Sequence, residues 1–359
     1  MTDAKRIVQL DGLRAIAVFM VFCSHSFGFP LLWAGVDLFF VLSGFLITGI
    51  LLEQRRQKTW SSYLALFYQR RIKRILPPYL LFLGLTSILF GIGWMHHWYL
   101  FVFLMNTASF KELSYRYSLA VLWSLAVEEQ FYILWPFAVY WLSETALAWL
   151  AGALVLVAPL LRWGATIFFP GHWTIHTSTP FRMDLLAIGA LIALAWRHYR
   201  TALEQLSAYG LLLTAISVCC LLLFSRYPWF QPGANTVSAN VWLYELSLLG
   251  CAGAVLWALG GRGIGMLKLT PLVYLGRISY SFYLVHFTVI SVIRNHLHHV
   301  LLARALAFAV SFIYAALSWR LLERPTLYGA CQSSQSNGGK GKGIGAGRPA
   351  GRARESLFR

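Results

Sequence analysis

Leu10-Asp11-Gly12-Leu13-Arg14-Ala15-Ile16-Ala17-Val18-Phe19-Met20-Val21-Phe22-Cys23-Ser24-His25 is the stretch on which the fold turns. It is apolar enough to be a helix in lipid, yet it carries a carboxylate, a guanidinium and an imidazole. From Arg14 to His25 there are eleven steps of about 100°, almost three whole turns, which puts both on one helix face about 16 Å apart along the axis. Asp11, Val18 and Phe22 fall on the same stripe. Charge is expensive inside a bilayer, so a membrane helix with these groups on one side is expected to turn that side toward a polar cavity.

Composition agrees with that reading. The chain is 58% hydrophobic and only 12% charged, with a mean hydropathy of +0.62, which excludes an ordinary soluble domain. Runs long enough to cross the hydrocarbon recur at 12–28, 34–52, 76–94, 122–142, 145–162, 182–197, 207–224, 241–259, 272–293 and 300–322. Trp98–Met105 is too short to span and reads as re-entrant or interfacial. The expectation is one all-α polytopic bundle of about ten spans over residues 1–328, followed by a basic, Gly-rich, disordered tail at 329–359.

Lys and Arg set the orientation. Lys5, Arg6, Arg55, Arg56, Lys58, Arg70, Arg71, Lys73, Arg74, Arg197, Arg200, Arg262 and Lys268 gather on one side if both termini are cytoplasmic. The opposite side receives Lys111, Arg116, Arg162, Arg226 and Arg294, with Arg182 at a helix mouth. This asymmetry satisfies the positive-inside rule. The first apolar run carries Asp11 and Arg14 and lacks a small-residue cleavage site, so it is read as a span rather than a cleaved signal.

The net charge of +17 is not a nucleic-acid signature. Lys340, Lys342, Arg348, Arg352, Arg354 and Arg359 lie in the tail without interleaved aromatics, a pattern that suits anionic lipid headgroups. Cys23, Cys219, Cys220 and Cys251 sit in apolar runs, and Cys331 opens the tail. No cysteine pair has metal-ligand spacing, so packing is the reading and no metal is expected. His296, His298 and His299 cluster in the last outer loop and read as interfacial.

The remaining polar residues in apolar runs carry the chemistry. Asp37 lies near the level that His25 reaches, so it either orients that imidazole or caps the second helix. In Trp123-Ser124-Leu125-Ala126-Val127-Glu128-Glu129-Gln130-Phe131-Tyr132, Ser124, Glu128 and Tyr132 share a face, which favours Glu128 over Glu129 for the cavity. Leu64, Phe67, Arg71 and Arg74 lie on one side of an amphipathic surface helix, after which Pro77 and Pro78 start the third span. Arg70, Arg71 and Arg74 suit phosphate, although topology and lipid binding also account for them. Ser279, Tyr283 and His286 share one face. There His286 is read two ways, toward a cavity or bonded between helices. Arg182 and Asp184, two residues apart, are expected to pair with other helices rather than with each other. No Gly-x-Ser-x-Gly elbow, Walker loop or His-Glu-x-x-His is present.

Over residues 5–328 the chain resembles the membrane-bound acyltransferase family 3, which includes bacterial O-acetyltransferases acting on O-antigen and other surface glycans. The resemblance rests on six segments in order: Leu10–Arg14 with His25, Gly35–Phe45, Arg71–Pro77, Trp123–Tyr132, Ile278–His286 and Glu323-Arg324-Pro325. It implies acyl transfer from acyl-coenzyme A (acetyl-CoA by default) to a hydroxyl of a carbohydrate or glycolipid in the bacterial cytoplasmic membrane, with Arg14 and His25 essential. It also suggests the transmembrane module alone, without the hydrolase-like domain that some relatives carry.

These residues are assigned as follows. Arg70, Arg71 and Arg74 hold the donor phosphates and Arg14 positions the donor chain. His25 acts as base, oriented by Asp37 or Glu128. Asp11, Ser124, Glu129, Tyr283 and His286 line the acceptor path. The rival is a transporter or flippase of a lipid-linked sugar, which would use the same buried charges, although no inverted repeat or Gly/Pro-broken helix pair is visible.

Overall fold

Among the described residues, ten long helices occupy the ten apolar runs: α1 Val8–Phe27, α2 Ala34–Arg55, α3 Trp60–Phe90, α4 Leu122–Trp141, α5 Glu144–Phe168, α6 Met183–His198, α7 Ser207–Phe224, α8 Tyr244–Gly260, α9 Thr270–His296 and α10 Val300–Ser318. The structure is a computed structural model that describes residues 7–56, 58–92, 97–107, 119–261 and 263–326. The expected tail, together with Lys5, Arg6, Lys111, Arg116 and Arg262, lies outside the described residues. No strand occurs among the described residues, and the 98–105 segment forms only a short 3₁₀ turn, Trp98–Leu100, and bends.

Among the described residues, eight helices are long and apolar enough to cross a membrane. Of the expected spans, α6 has 16 residues, about 24 Å of helix against the roughly 30 Å of hydrocarbon. The other exception, α4, is long enough but carries Glu128, Glu129 and Gln130. The surface is apolar while charge lies inside, the reverse of a soluble protein. Ile88, Trp149 and Phe168 are 83%, 77% and 81% exposed, whereas Arg162 and Arg182 are fully buried. Only a lipid environment makes that distribution favourable.

Small residues let the helices that carry the polar groups approach closely. In the crossing of α2 and α6, Gly44 packs on the Leu186 carbonyl and Gly189 on the Val41 carbonyl, leaving no room for a Cβ. Gly276 of α9 packs likewise on the Asp11 carbonyl of α1. Because Asp11 meets Gly276, Arg14 meets Ser279 and His25 meets His286, α1 and α9 run parallel, as expected of the first and ninth spans of a bundle.

One boundary differs from the sequence expectation. The surface segment and third span are a single helix, α3, which runs straight through Pro77 and Pro78. Pro77 cannot bond the Lys73 carbonyl; the Thr326 hydroxyl, eight residues past α10, lies 3.1 Å from that carbonyl and 2.8 and 2.9 Å from the carbonyls of Leu322 and Glu323. A hydroxyl from a neighbouring segment thus reaches the carbonyl that proline leaves open, and the prolines do not mark a start. The inward face of the first turns, Tyr63 and Phe67, is buried, while Arg70 and Lys73 point out.

Candidate active site

His25 lies in the last turn of α1, three residues before Gly28 ends the helix in the left-handed region at φ +73°. Its Nδ1 is 2.9 Å from Nε2 of His286. His286 Nδ1 is in turn 2.7 Å from the backbone carbonyl of Tyr283. A carbonyl oxygen only accepts, so His286 carries its proton on Nδ1 and offers Nε2 as an acceptor. His25 therefore donates from Nδ1, and its own Nε2 keeps a free lone pair. Phe287 packs against the His25 ring, with centroids 4.8 Å apart. The imidazole opens onto a cavity of about 510 Å³ whose walls include Ser26, Phe27, Arg294, His298 and Arg304.

Three turns back along α1, Arg14 donates from Nε and Nη2 to the Ser279 hydroxyl at 3.3 and 3.1 Å. Around it stand the inward-facing cations of α3. Arg71 lies 4.7 Å from the Tyr132 ring centroid, and Arg74 is within electrostatic reach of Arg14, Arg71 and Glu323. Arg70, one residue off that face, is exposed and apart from them. Glu128 accepts the Ser43 hydroxyl at 2.6 Å and stands near both Arg14 and Arg71. Glu129 is partly buried, with one carboxylate oxygen that bonds no protein atom. Buried Glu323 accepts from Ser281 at 2.7 Å. Glu323 has no role in the site expected from the sequence; the available signal is a carboxylate directly after the last apolar run.

Between the two ends, Tyr283 and Ser124 share a hydrogen bond of 2.5 Å. On α1, Val18, Val21 and Phe22 are buried at intermediate levels. Asp11 is buried at the α9 crossing. Ser279, Tyr283 and His286 thus do share a face, and that face is turned to α1 and α4. His286 stands behind His25 and is fully buried, which corrects its expected place on the acceptor path.

The orienting role expected of Asp37 or Glu128 is also corrected. Glu128 belongs to the Arg14 end. Asp37 is fully buried in a separate polar core, ion-paired to Arg182 and accepting from Ser247 at 2.7 Å. The Asp37 cap does not form either, since the residue before α2 is Trp33 and makes no side-chain cap. Arg162 pairs with Asp184 at 2.7 Å and with Glu245. Arg182 and Asp184 therefore reach different helices, as their spacing required. The Arg182 guanidinium is also 4.5 Å from the Tyr244 ring centroid.

A short helix before α6, His172–Thr177, adds two histidines that the sequence reading passed over, although their spacing of four marks one face. The His176 Nδ1 is 2.7 Å from the Tyr244 hydroxyl, and His172 Nδ1 is 3.0 Å from Asn240 Oδ1. Burial holds the His176 imidazole well below its ordinary range, with His172 and Arg182 adding to the effect. His172 is lowered chiefly by burial, partly offset by its bond to Asn240.

A family model described as an acyltransferase domain matches residues 7–321. The chain is 30% identical to the peptidoglycan O-acetyltransferase OatA of Listeria monocytogenes, over 89% of this chain and 56% of that protein. It is 31% identical to the "Putative peptidoglycan O-acetyltransferase YrhL" of Bacillus subtilis, over 89% of this chain and 54% of that protein. The chain thus spans about half the length of these curated relatives. No solved structure matches it.

Proposed function

The chain belongs to the acyltransferase 3 family, and from that premise we propose that it is a membrane O-acetyltransferase that moves an acetyl group from acetyl-CoA to a carbohydrate hydroxyl, with His25 as the base. The observation that carries the reading is the chain of bonds from the Tyr283 carbonyl through His286 to His25. It fixes an imidazole tautomer with its lone pair free beside a cavity, the arrangement general-base transfer needs. The relatives support a carbohydrate acceptor, being named for O-acetylation of peptidoglycan.

The donor enters at the Arg14 end. Arg71 and Arg74 offer permanently charged forks to its phosphates, and Arg14 guides the chain that carries the thioester. Arg14 is about 16 Å from His25 along α1, too far to hold the oxyanion, so positioning the donor is its task. The acceptor hydroxyl approaches from the cavity at the opposite end. His25 Nε2 takes the hydroxyl proton as the oxygen attacks the thioester carbonyl, the C–S bond breaks, and the departing thiolate receives that proton. In this reading both termini are cytoplasmic and the bundle sits in the bacterial cytoplasmic membrane, which the positive-inside pattern supports.

The test is radiolabelled acetyl-CoA turnover by purified protein in nanodiscs. Label is expected to leave coenzyme A for water or for an added glycan, and His25→Ala is expected to abolish this. Turnover unchanged in that variant overturns the reading. A ping-pong pattern with captured acetyl-histidine would replace direct transfer by a two-step route through the same residue.

A further inference from the structure

The cavity outside His25 is built for an anion. Arg304, early in α10, donates its Nε to the Ser26 carbonyl at 3.0 Å and lies 4.4 Å from the Phe27 ring centroid. Those contacts fix the guanidinium, and its two terminal nitrogens bond no protein atom among the described residues. Arg294, near the end of α9, lines the same cavity; it is exposed, and no hydrogen bond or ion pair holds it among the described residues. No carboxylate is among the residues lining the cavity. Two guanidiniums thus face one space beside the proposed base, uncompensated by any acid. The buried Arg162 and Arg182, by contrast, each have a carboxylate partner.

We propose that Arg294 and Arg304 form a subsite for an anionic group on the acceptor, a carboxylate or a phosphate close to the hydroxyl that is acylated. The inference rests on the acceptor entering through the His25 cavity. It adds the substrate's charge. A forked, fixed guanidinium suits the planar or tetrahedral oxyanion, and a second, mobile one accommodates its position along the glycan. The donor's phosphates are served at the other end by Arg71 and Arg74, so the two anion sites divide the two substrates. A neutral glycan would leave two cations at the cavity mouth without a partner.

The test needs no acceptor. Iodoacetate and iodoacetamide both alkylate a free imidazole nitrogen and differ in charge. The full-length protein in nanodiscs is treated with each, and alkylation of His25 is followed by peptide mass spectrometry, with exposed His296 as the internal standard. His25 is expected to react about tenfold faster with iodoacetate, relative to His296, and this preference is expected to vanish in Arg294→Gln/Arg304→Gln. The Arg71→Gln variant is expected to retain it. Protection of His25 by acetate or by inorganic phosphate, compared at equal concentration, separates a carboxylate acceptor from a phosphate one. Equal rates for the two reagents, an unchanged preference in the double variant, or no alkylation of His25 overturns the proposal. Acetyl-CoA turnover that depends on His25 without the anion preference removes the subsite and leaves the proposed function. The preference without turnover does the reverse.

Discussion

His286 offers the sharpest perturbation, because its two ring nitrogens have separate jobs. Nδ1 donates to the Tyr283 carbonyl and Nε2 accepts from His25. Glutamine places its amide oxygen near the position of Nε2, whereas asparagine reaches only the position of Nδ1 and phenylalanine supplies no acceptor. In His286→Phe the buried His25 N–H loses its partner, which costs about 1–3 kcal/mol. The imidazole is then free to move its proton to Nε2, where it blocks the attack. A loss of about 10- to 100-fold in turnover is expected, equivalent to roughly 1.4–2.7 kcal/mol in the barrier. His286→Gln is expected to stay within a few-fold of the parent, and His286→Asn to behave like His286→Phe. The assay is acetyl-CoA turnover in nanodiscs, with thermal unfolding of each variant to show that the bundle is intact. Full turnover in His286→Phe, or a glutamine variant as slow as the phenylalanine one, refutes the tautomer argument.

Two further outcomes follow from the polar core. Asp37→Leu leaves Arg182 buried without its counter-ion and is expected to destabilise the bundle by about 3–5 kcal/mol, while Asp37→Leu/Arg182→Met recovers most of that loss. Thermal unfolding reads the stability. A well-folded double variant with no acetyl-CoA turnover would instead place Asp37 in the chemistry. Burial keeps His172 and His176 neutral below their ordinary value of 6.5, so the unfolded chain takes up protons on acidification that the folded chain refuses. Their contribution is complete above that value and is lost as pH falls beneath it. Unfolding temperature is therefore expected to drop between about pH 7 and about pH 5, and His176→Asn to flatten the slope by up to about 1.4 kcal/mol per pH unit. An identical slope in the variant contradicts the assignment.

Much of the candidate site was legible along the chain because helical periodicity is local. Arg14 and His25 do share a face, as do Ser279, Tyr283 and His286, and Arg71 and Arg74 do turn inward, whereas Arg70, grouped with them for the donor phosphates, is exposed. The start of the third span was misread because proline reports only on its own amide. Only the tertiary structure brings the Thr326 hydroxyl, distant in sequence, to within 3.1 Å of the Lys73 carbonyl.

Hydropathy and charge alone determined that this is an all-helical membrane protein, since the runs are too long and too continuously apolar for the short alternating strands of a barrel, the one other structure that satisfies its backbone in lipid. They also placed Arg14 and His25 on one stripe of α1. Which group holds His25 was decided only by the tertiary structure. Asp37, at a matching level, goes to Arg182, and His286, 261 residues away, takes the imidazole. In lipid, apolar faces do not discriminate between neighbours, so helix pairing depends on close glycine contacts and on a few hydrogen bonds between distant segments. Neither leaves a period in the sequence.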